Sequence, residues 1–259
     1  MDASISANPG LSKAATGISG LDQLTNGGLP RRRVTVVTGG AGAGKTVLAL
    51  QSLVNGAIDF DEPGVFVAFE ENSEQIKENA AGFAWPSDFE SPQGVTFVDA
   101  QLREALFDGE DFDLKGLLEM LESIIEQNGA RRIVLDGLDI LLRFLPDKMT
   151  IRREVFRIRE WMLGQGVTGI ITAKSTATES DPDYNLLQFM ADCVVALDHR
   201  LVGATAVRGI RVSKYRGTDH SSNEFAFSIG HGGISVSTGS SFTIEHDVSN
   251  ERVSTGVDR

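Results

Sequence analysis

Residues 39–46 read GGAGAGKT: Gly39, four small residues, then Gly44, Lys45 and Thr46. The string follows the β-branched run VTVVT (34–38) and opens a helical pattern, the strand–loop–helix setting in which this spacing binds phosphate. Gly40, Ala41, Gly42 and Ala43 are too small to fill the loop, so backbone N–H groups can surround phosphate oxygens, and the helix N-terminus beyond Gly44 adds positive potential. Lys45 is then placed to reach the β- and γ-phosphates of a nucleoside triphosphate, and Thr46 to offer its hydroxyl to magnesium. The competing reading is a glycine-rich turn that holds no ligand.

Three further groups have chemistry that could complete such a site. Asp136 ends the apolar run RRIVLDG (131–137). A carboxylate at the carboxyl edge of a sheet, beside a phosphate loop, can hold magnesium through water; an Asp that caps the next segment would look the same. Glu70 and Glu71 come where GVFVAFE (64–70) runs out. Adjacent strand residues point to opposite faces, so at most one aims cleanly at a nucleotide, where it could polarise an attacking water. Two acids at the N-terminus of a helix over SEQIKENA are the alternative. Lys214 and Arg216 alternate onto one face of a late strand, with Tyr215 on the other. Two such cations suit a phosphoryl group that develops charge, and their place outside the central run suits action on a neighbouring copy's nucleotide. A charged edge strand that resists aggregation is the plainer explanation.

These groups need a scaffold that brings strand ends together. Short apolar runs alternate with helical patterns from Val34 to Leu201, which predicts βαβ units and a mainly parallel sheet covered on both faces. Strands are expected at 34–38, 64–70, 95–100, 131–137, 167–173 and 193–198. One helix is expected from Lys45, with Leu50, Leu53, Val54, Ala57 and Ile58 as its apolar stripe, and another over 112–126, with Leu114, Leu117, Leu118, Leu121 and Ile125. After Leu201 the runs RGIRVSKYRG, NEFAFSI and GGISVS, parted by turns at Gly217 and at 230–233, predict an antiparallel extension. The expected fold is α/β, with an N-terminal arm (1–15), one large domain (16–236) and a tail (237–259) rich in Ser, Thr and charge.

A formal net charge of −12 repels a polyanion, so nucleic acid is not an expected partner. No apolar run approaches the roughly 18 residues of a membrane span. The N-terminus shows no export or organelle signal, so a cytoplasmic location is expected. The one cysteine, Cys193 in DCVVAL, agrees with a reducing compartment and reads as a buried structural thiol.

The phosphate loop, FEE (69–71), RRIVLD (131–136) and KYRGTDH (214–220), in this order and spacing, resemble the RecA-type ATPases and most closely the N-terminal ATPase domain of the KaiC family. The similar stretches run through nearly the whole chain and include TGISGLDQLTNGGLP, NAAGFAW, RREVFRIREWM and EFAFSIGHGGI. The loop alone is generic, whereas DEPGVFVAFEE and KYRGT are much more specific. The resemblance implies a RecA-like P-loop NTPase fold and a homohexamer ring with ATP and Mg2+ at each interface. It implies that Glu70 activates water with Glu71 assisting, that Thr46 and Asp136 organise magnesium, and that Lys214 and Arg216 act in trans. Val47, Tyr215, Gly217, Thr218 and His220 join the loop as nucleotide contacts, although Tyr215 could equally be a core or interface residue. The implied activity is slow ATP hydrolysis as a timing or signalling step, with a KaiB-like partner docking on this domain. Kinase activity belongs to a second ATPase domain in relatives and is not expected here. The final TGVDR (255–259) echoes TGI at 16–18 and resembles the start of a linker into that domain.

TAKSTATESDPDYN (172–185) departs from the family pattern, and Gly82 and Ser222 stand where relatives often carry nucleotide-contacting side chains. The main rival on the same core is a DNA-dependent ATPase, which would carry basic loops facing a ring centre. Loop 175–186 instead holds Glu179, Asp181 and Asp183 and no Lys or Arg. The basic stretch 143–153 (Arg143, Lys148, Arg152, Arg153) leads into Ile151, Val155, Phe156 and Ile158, the apolar side of a solvated helix. A nucleotide-gated scaffold with negligible turnover is the third reading.

Overall fold

Val36 and Val37 are neighbours and both fully buried, yet they belong to different hydrophobic clusters. The same split separates Phe66 from Val67, Val134 from Leu135 and Ile170 from Ile171. Side chains alternate across a strand, so apolar residues at every position mean a sheet buried on both faces.

The structure, a computed structural model, describes residues 11–86, 88–100, 114–175, 182–203 and 205–238. In chain order it forms β1 (Lys13–Ala14), α1 (Leu21–Leu24), β2 (Leu29–Pro30), β3 (Val34–Gly39), α2 (Lys45–Phe60), β4 (Gly64–Ala68), α3 (Ser73–Ala80), β5 (Val95–Asp99), α4 (Leu114–Asn128), β6 (Arg132–Asp136), α5 (Leu138–Arg143), α6 (Lys148–Gln165), β7 (Thr168–Lys174), α7 (Pro182–Met190), β8 (Cys193–Val202), β9 (Thr205–Tyr215), β10 (Glu224–Gly230) and β11 (Gly233–Val236). The main sheet has nine strands in the order β11-β10-β9-β8-β3-β7-β6-β4-β5. Neighbours from β8 to β5 are parallel, and β9, β10 and β11 extend the sheet antiparallel.

One face is covered by α2 and α3, through Leu48, Leu53 and Val54 and through Ile76 and Ala80. The other takes Leu118 and Leu121 of α4, Leu138 and Leu141 of α5, and Val155 and Ile158 of α6. Each fully buried aliphatic side chain contributes about 1.5–3 kcal/mol. This is the α/β architecture expected, with its antiparallel extension.

The structure also redraws several expected boundaries. β4 stops at Ala68, which releases Glu70 and Glu71 into the turn before α3. β8 runs on to Val202 and forms a long hairpin with β9, so the extension begins inside the last apolar run. The arm expected over 1–15 joins the fold before its boundary, because Lys13 and Ala14 pair with Pro30 and Leu29, and Leu11 packs on the core. The tail expected from 237 begins attached, with Ser237 N–H donating to Ala226 O at 2.8 Å. Residues 1–10 and 239–259, with the TGVDR echo, lie outside the described residues, as do 176–181 of loop 175–186, whose last residues open α7. Ile58, expected on the buried stripe of α2, is 48% exposed at the end of that helix.

The basic stretch, expected on one helix face, is divided between two helices: Arg143 ends α5, while Lys148, Arg152 and Arg153 lie on α6, all four exposed. Arg143 pairs with Asp139, Arg153 and Arg157 pair with Glu154, and Ile151, Val155 and Ile158 are buried. Among the described residues no helix is long and apolar enough to cross a membrane. Cys193 is fully buried, and burial pushes its thiol up to about 12.

Candidate active site

β3, β7, β6 and β4 lie side by side, and their carboxyl ends bring Gly39, Lys174, Asp136 and, just past β4, Glu70 to one edge of the sheet. Such edges are where open α/β sheets bind ligands. The loop after β3 exposes Gly40, Ala41 and Gly42 and tucks Ala43 into the core. Gly44 enters α2 at φ 98°, and a Cβ on it would meet Ile229 Cδ1 at 2.8 Å, so both backbone and space require glycine.

Lys45 folds over the loop and donates from Nζ to the carbonyls of Gly39 and Gly40, at 3.0 Å each. Burial lowers its pKa, against the opposing charges of Asp136, Asp139 and Glu70. Thr46 Oγ1 donates to the Asp136 carboxylate, at 3.1 Å from Oδ2 and 3.3 Å from Oδ1. Thr172 Oγ1 donates to Asp136 Oδ1 at 2.6 Å and accepts the Gly137 N–H at 2.8 Å. Burial pushes the Asp136 carboxyl up, and the hydrogen bonds from Thr172 and Thr46 and the charge of Lys45 pull it back.

Glu70 and Glu71 diverge within the turn that follows β4. Glu70 forms an ion pair with Lys174 Nζ. Glu71 lines a cleft of about 350 Å³ beside Lys45 and Thr46, whose far wall is Asn79, Phe83 and Trp85. Phe83 and Trp85 stack with ring centroids 4.5 Å apart and planes 24° from parallel. Trp85 Nε1 donates to Gly232 O at 3.3 Å, which ties this wall to the β10–β11 turn. A flat aromatic wall beside a phosphate loop can take a planar ring.

Lys214 and Arg216 are elsewhere. β9 runs antiparallel to β8, so its end aligns with Cys193 and, through it, with Thr35 at the start of β3. The run from Thr35 to Gly39 covers about 13 Å, so these cations occupy the amino edge, opposite their own phosphate loop. A register shift between Val194 and Val195 leaves Ser213 unmatched and pairs Val194 with Lys214. Lys214 Nζ donates to the carbonyls of Gln188 at 2.8 Å and Phe189 at 3.0 Å, and Arg216 Nη2 to Phe189 O at 3.0 Å. Both thus cap the C-terminal turn of α7, where positive charge is favoured. β10 pairs with β9 only at Gly209, Ile210 and Arg211, so Lys214 and Arg216 lie beyond that paired stretch.

Tyr215 corrects an expectation. It is 6% exposed, packs in the core, and donates its hydroxyl to Gly28 O at 2.9 Å, so its ring cannot stack on a base. Gly217, Thr218 and His220 follow it at the amino edge, where Thr218 Oγ1 accepts from Lys13 Nζ at 3.3 Å. They do not line the cleft beside Lys45, whereas Val47 does.

The KaiC ATPase family matches residues 14–241 of the chain. The chain belongs to the KaiC family. The circadian clock protein KaiC2 of Synechocystis sp. is 39% identical over 249 residues, which are 95% of this chain and 44% of that protein. The circadian clock oscillator protein KaiC of Synechococcus elongatus is 34% identical over 98% of this chain and 50% of its own length. Among solved structures, a KaiC-like protein from the archaeon Pyrococcus horikoshii OT3 matches with a TM-score of 0.77 and 29% identity, over 88% of this chain and 100% of that one. This KaiC-family chain therefore spans about half the length of the curated relatives it matches, and its fold is the RecA-like α/β fold of the family's ATPase domain.

Magnesium fits the donor set of this KaiC-family domain. A Thr hydroxyl and a buried carboxylate 3.1 Å apart are hard oxygen donors. Among the described residues no group of three or more His, Cys, Asp or Glu could hold a metal alone. The site therefore suits an ion that brings phosphate oxygens and water as its other ligands, as Mg2+ does. Sequence reading missed Thr172, Lys174 and the Phe83–Trp85 wall. A threonine inside the apolar run GIITA was the available signal for the first, and the aromatic pair in NAAGFAW for the last.

Proposed function

We propose that this chain hydrolyses MgATP slowly, as the first ATPase ring of a KaiC-type timer or signalling protein, with each nucleotide shared between two chains of a homohexamer. The observation that carries this reading is the division of its chemistry. Lys45, Thr46, Asp136 and Glu70 lie at one edge of the sheet, and Lys214 and Arg216 at the other.

Loop N–H groups from Gly40 to Lys45 and the Lys45 ammonium hold the β- and γ-phosphates. Thr46 and Asp136 hold Mg2+, which neutralises charge on the phosphate oxygens. The Phe83–Trp85 wall orients the base, with Asn79 beside it. Glu70 orients water and accepts its proton, and Glu71, which faces the cleft, assists. Lys214 and Arg216, held in place by the carbonyls of α7, meet the charge that develops on the γ-phosphate of the neighbouring chain. A KaiB-like partner reads the hydrolysed state of this ring, and a second ATPase domain belongs to the full-length protein. The net charge of −12 supports a role without nucleic acid.

Light scattering with and without MgATP tests the reading. A hexamer with nucleotide and a smaller particle without it are expected, and a monomer in both conditions refutes the shared site. Strong stimulation of turnover by DNA would instead favour a DNA-dependent ATPase.

A further inference from the structure

Lys174 and Glu70 meet across the sheet. Lys174 ends β7, Glu70 follows β4, and β6, which ends in Asp136, runs between them. Two strand spacings make about 9.5 Å, so the ion pair of these two long side chains bridges the end of β6. The backbone beneath is close: Gly137 has φ 78°, and a Cβ on it would come 3.2 Å from Glu70 Cβ. On its other side Lys174 is in register with Gly39, where the phosphate loop begins. Its N–H donates to Asp139 Oδ1 at 3.1 Å, and Ser175 N–H donates to Gly39 O at 3.1 Å. Burial lowers the pKa of Lys45, and the charge of Lys174 adds to that lowering, as expected of two ammonium groups facing one small space.

A terminal phosphate held by Lys45, with a water between it and Glu70, has to enter the space that this ion pair spans. We propose that Lys174 is a γ-phosphate-operated latch on Glu70: it holds the carboxylate until a terminal phosphate arrives, then transfers to the phosphate and leaves the carboxylate free to take a proton from water. This deepens the proposed function and rests on its reading of Glu70 as the base. The pair is poised for exchange, because its side chains are 35% and 41% exposed and such pairs are weakly held. A γ-phosphate presents more charge and more acceptor oxygens than a carboxylate. A lysine, a compact charge on a flexible stem, can follow it. With ADP the latch stays closed.

Equilibrium binding of MgATP and MgADP to the full chain, its Lys174→Met and Glu70→Gln variants and the double variant tests the latch. Lys174→Met is expected to weaken MgATP about tenfold, the scale of one charge-assisted hydrogen bond, and to leave MgADP unchanged. Glu70→Gln, which releases Lys174 in advance, is expected to tighten MgATP, and that gain is expected to vanish in the double variant. Lys174→Arg keeps the charge and is expected to restore the preference for ATP. Equal weakening of both nucleotides, independent effects in the double variant, or no rescue by arginine overturns the latch. Turnover is a separate readout. Unchanged hydrolysis in Glu70→Gln removes the base role, whereas independent binding effects remove the latch and leave that role intact.

Discussion

At the amino edge of the sheet Glu62 is buried between two guanidinium groups. Arg132 Nε donates to its Oε2 at 2.7 Å, Arg31 pairs with its Oε1, and Arg132 Nη1 reaches Ser52 O at 2.9 Å. Burial raises the Glu62 pKa, but the hydrogen bonds and charges of Arg31 and Arg132 outweigh it and hold the carboxyl below its usual range. At the carboxyl edge the balance is reversed. Burial wins there, so Asp136 is pushed up and Lys45 down, each towards its neutral form. The first edge satisfies its own charges, while the second leaves room for opposite charge that a ligand has to bring. Lys214 departs from its own edge: burial and Arg216 lower its pKa although two carbonyls hold its ammonium.

The largest expected effect tests whether the amino edge serves another chain. Arg216→Ala is expected to lower turnover on the order of 10³-fold, the scale of an arginine supplied to a phosphoryl group, with MgATP binding retained. Mixing it with Lys45→Ala is expected to restore some activity through mixed interfaces, and a mixture as inactive as its parts would confine the site to one chain. Next comes the self-satisfied pair. Arg132→Met removes one of the two guanidinium partners of the buried Glu62 carboxylate and is expected to cost about 3 kcal/mol in urea unfolding. The pH dependence has a definite sign. Because the folded pKa of Glu62 is depressed, its contribution is present above the unfolded value and lost as pH falls through the folded one, and this acid-side loss is expected to shrink in Arg132→Met, where Arg31 alone remains. At the carboxyl edge, Glu70→Gln is expected to slow hydrolysis about 10²-fold with the hexamer intact. The smallest effect concerns Tyr215→Phe, expected to cost about 1 kcal/mol of stability and nothing in nucleotide affinity. A change in affinity would move Tyr215 back towards the base.

Much of the carboxyl edge was legible in the sequence because its signals are local. The phosphate loop is one contiguous string, and Asp136 and Glu70 each end an apolar run. Sheet order is not local. The meeting of Lys174 with Glu70 spans 104 residues and exists only because β6 separates β7 from β4. Tyr215 misled for a related reason. Strand alternation gave its face correctly, but not that the amino-terminal segment lies against that face and offers Gly28 O to its hydroxyl. Lys214 and Arg216 were placed on one face correctly, while their grip on α7 depended on where that helix ends.

The buried thiol has a practical side. Cys193 is the only cysteine in the chain, and with its thiol pushed up to about 12 behind a fully closed surface it is deaf to ordinary labelling reagents. A single change at an exposed amino-edge position, such as Ser222→Cys, would therefore install one unique handle for a dye or spin label without first stripping the native protein.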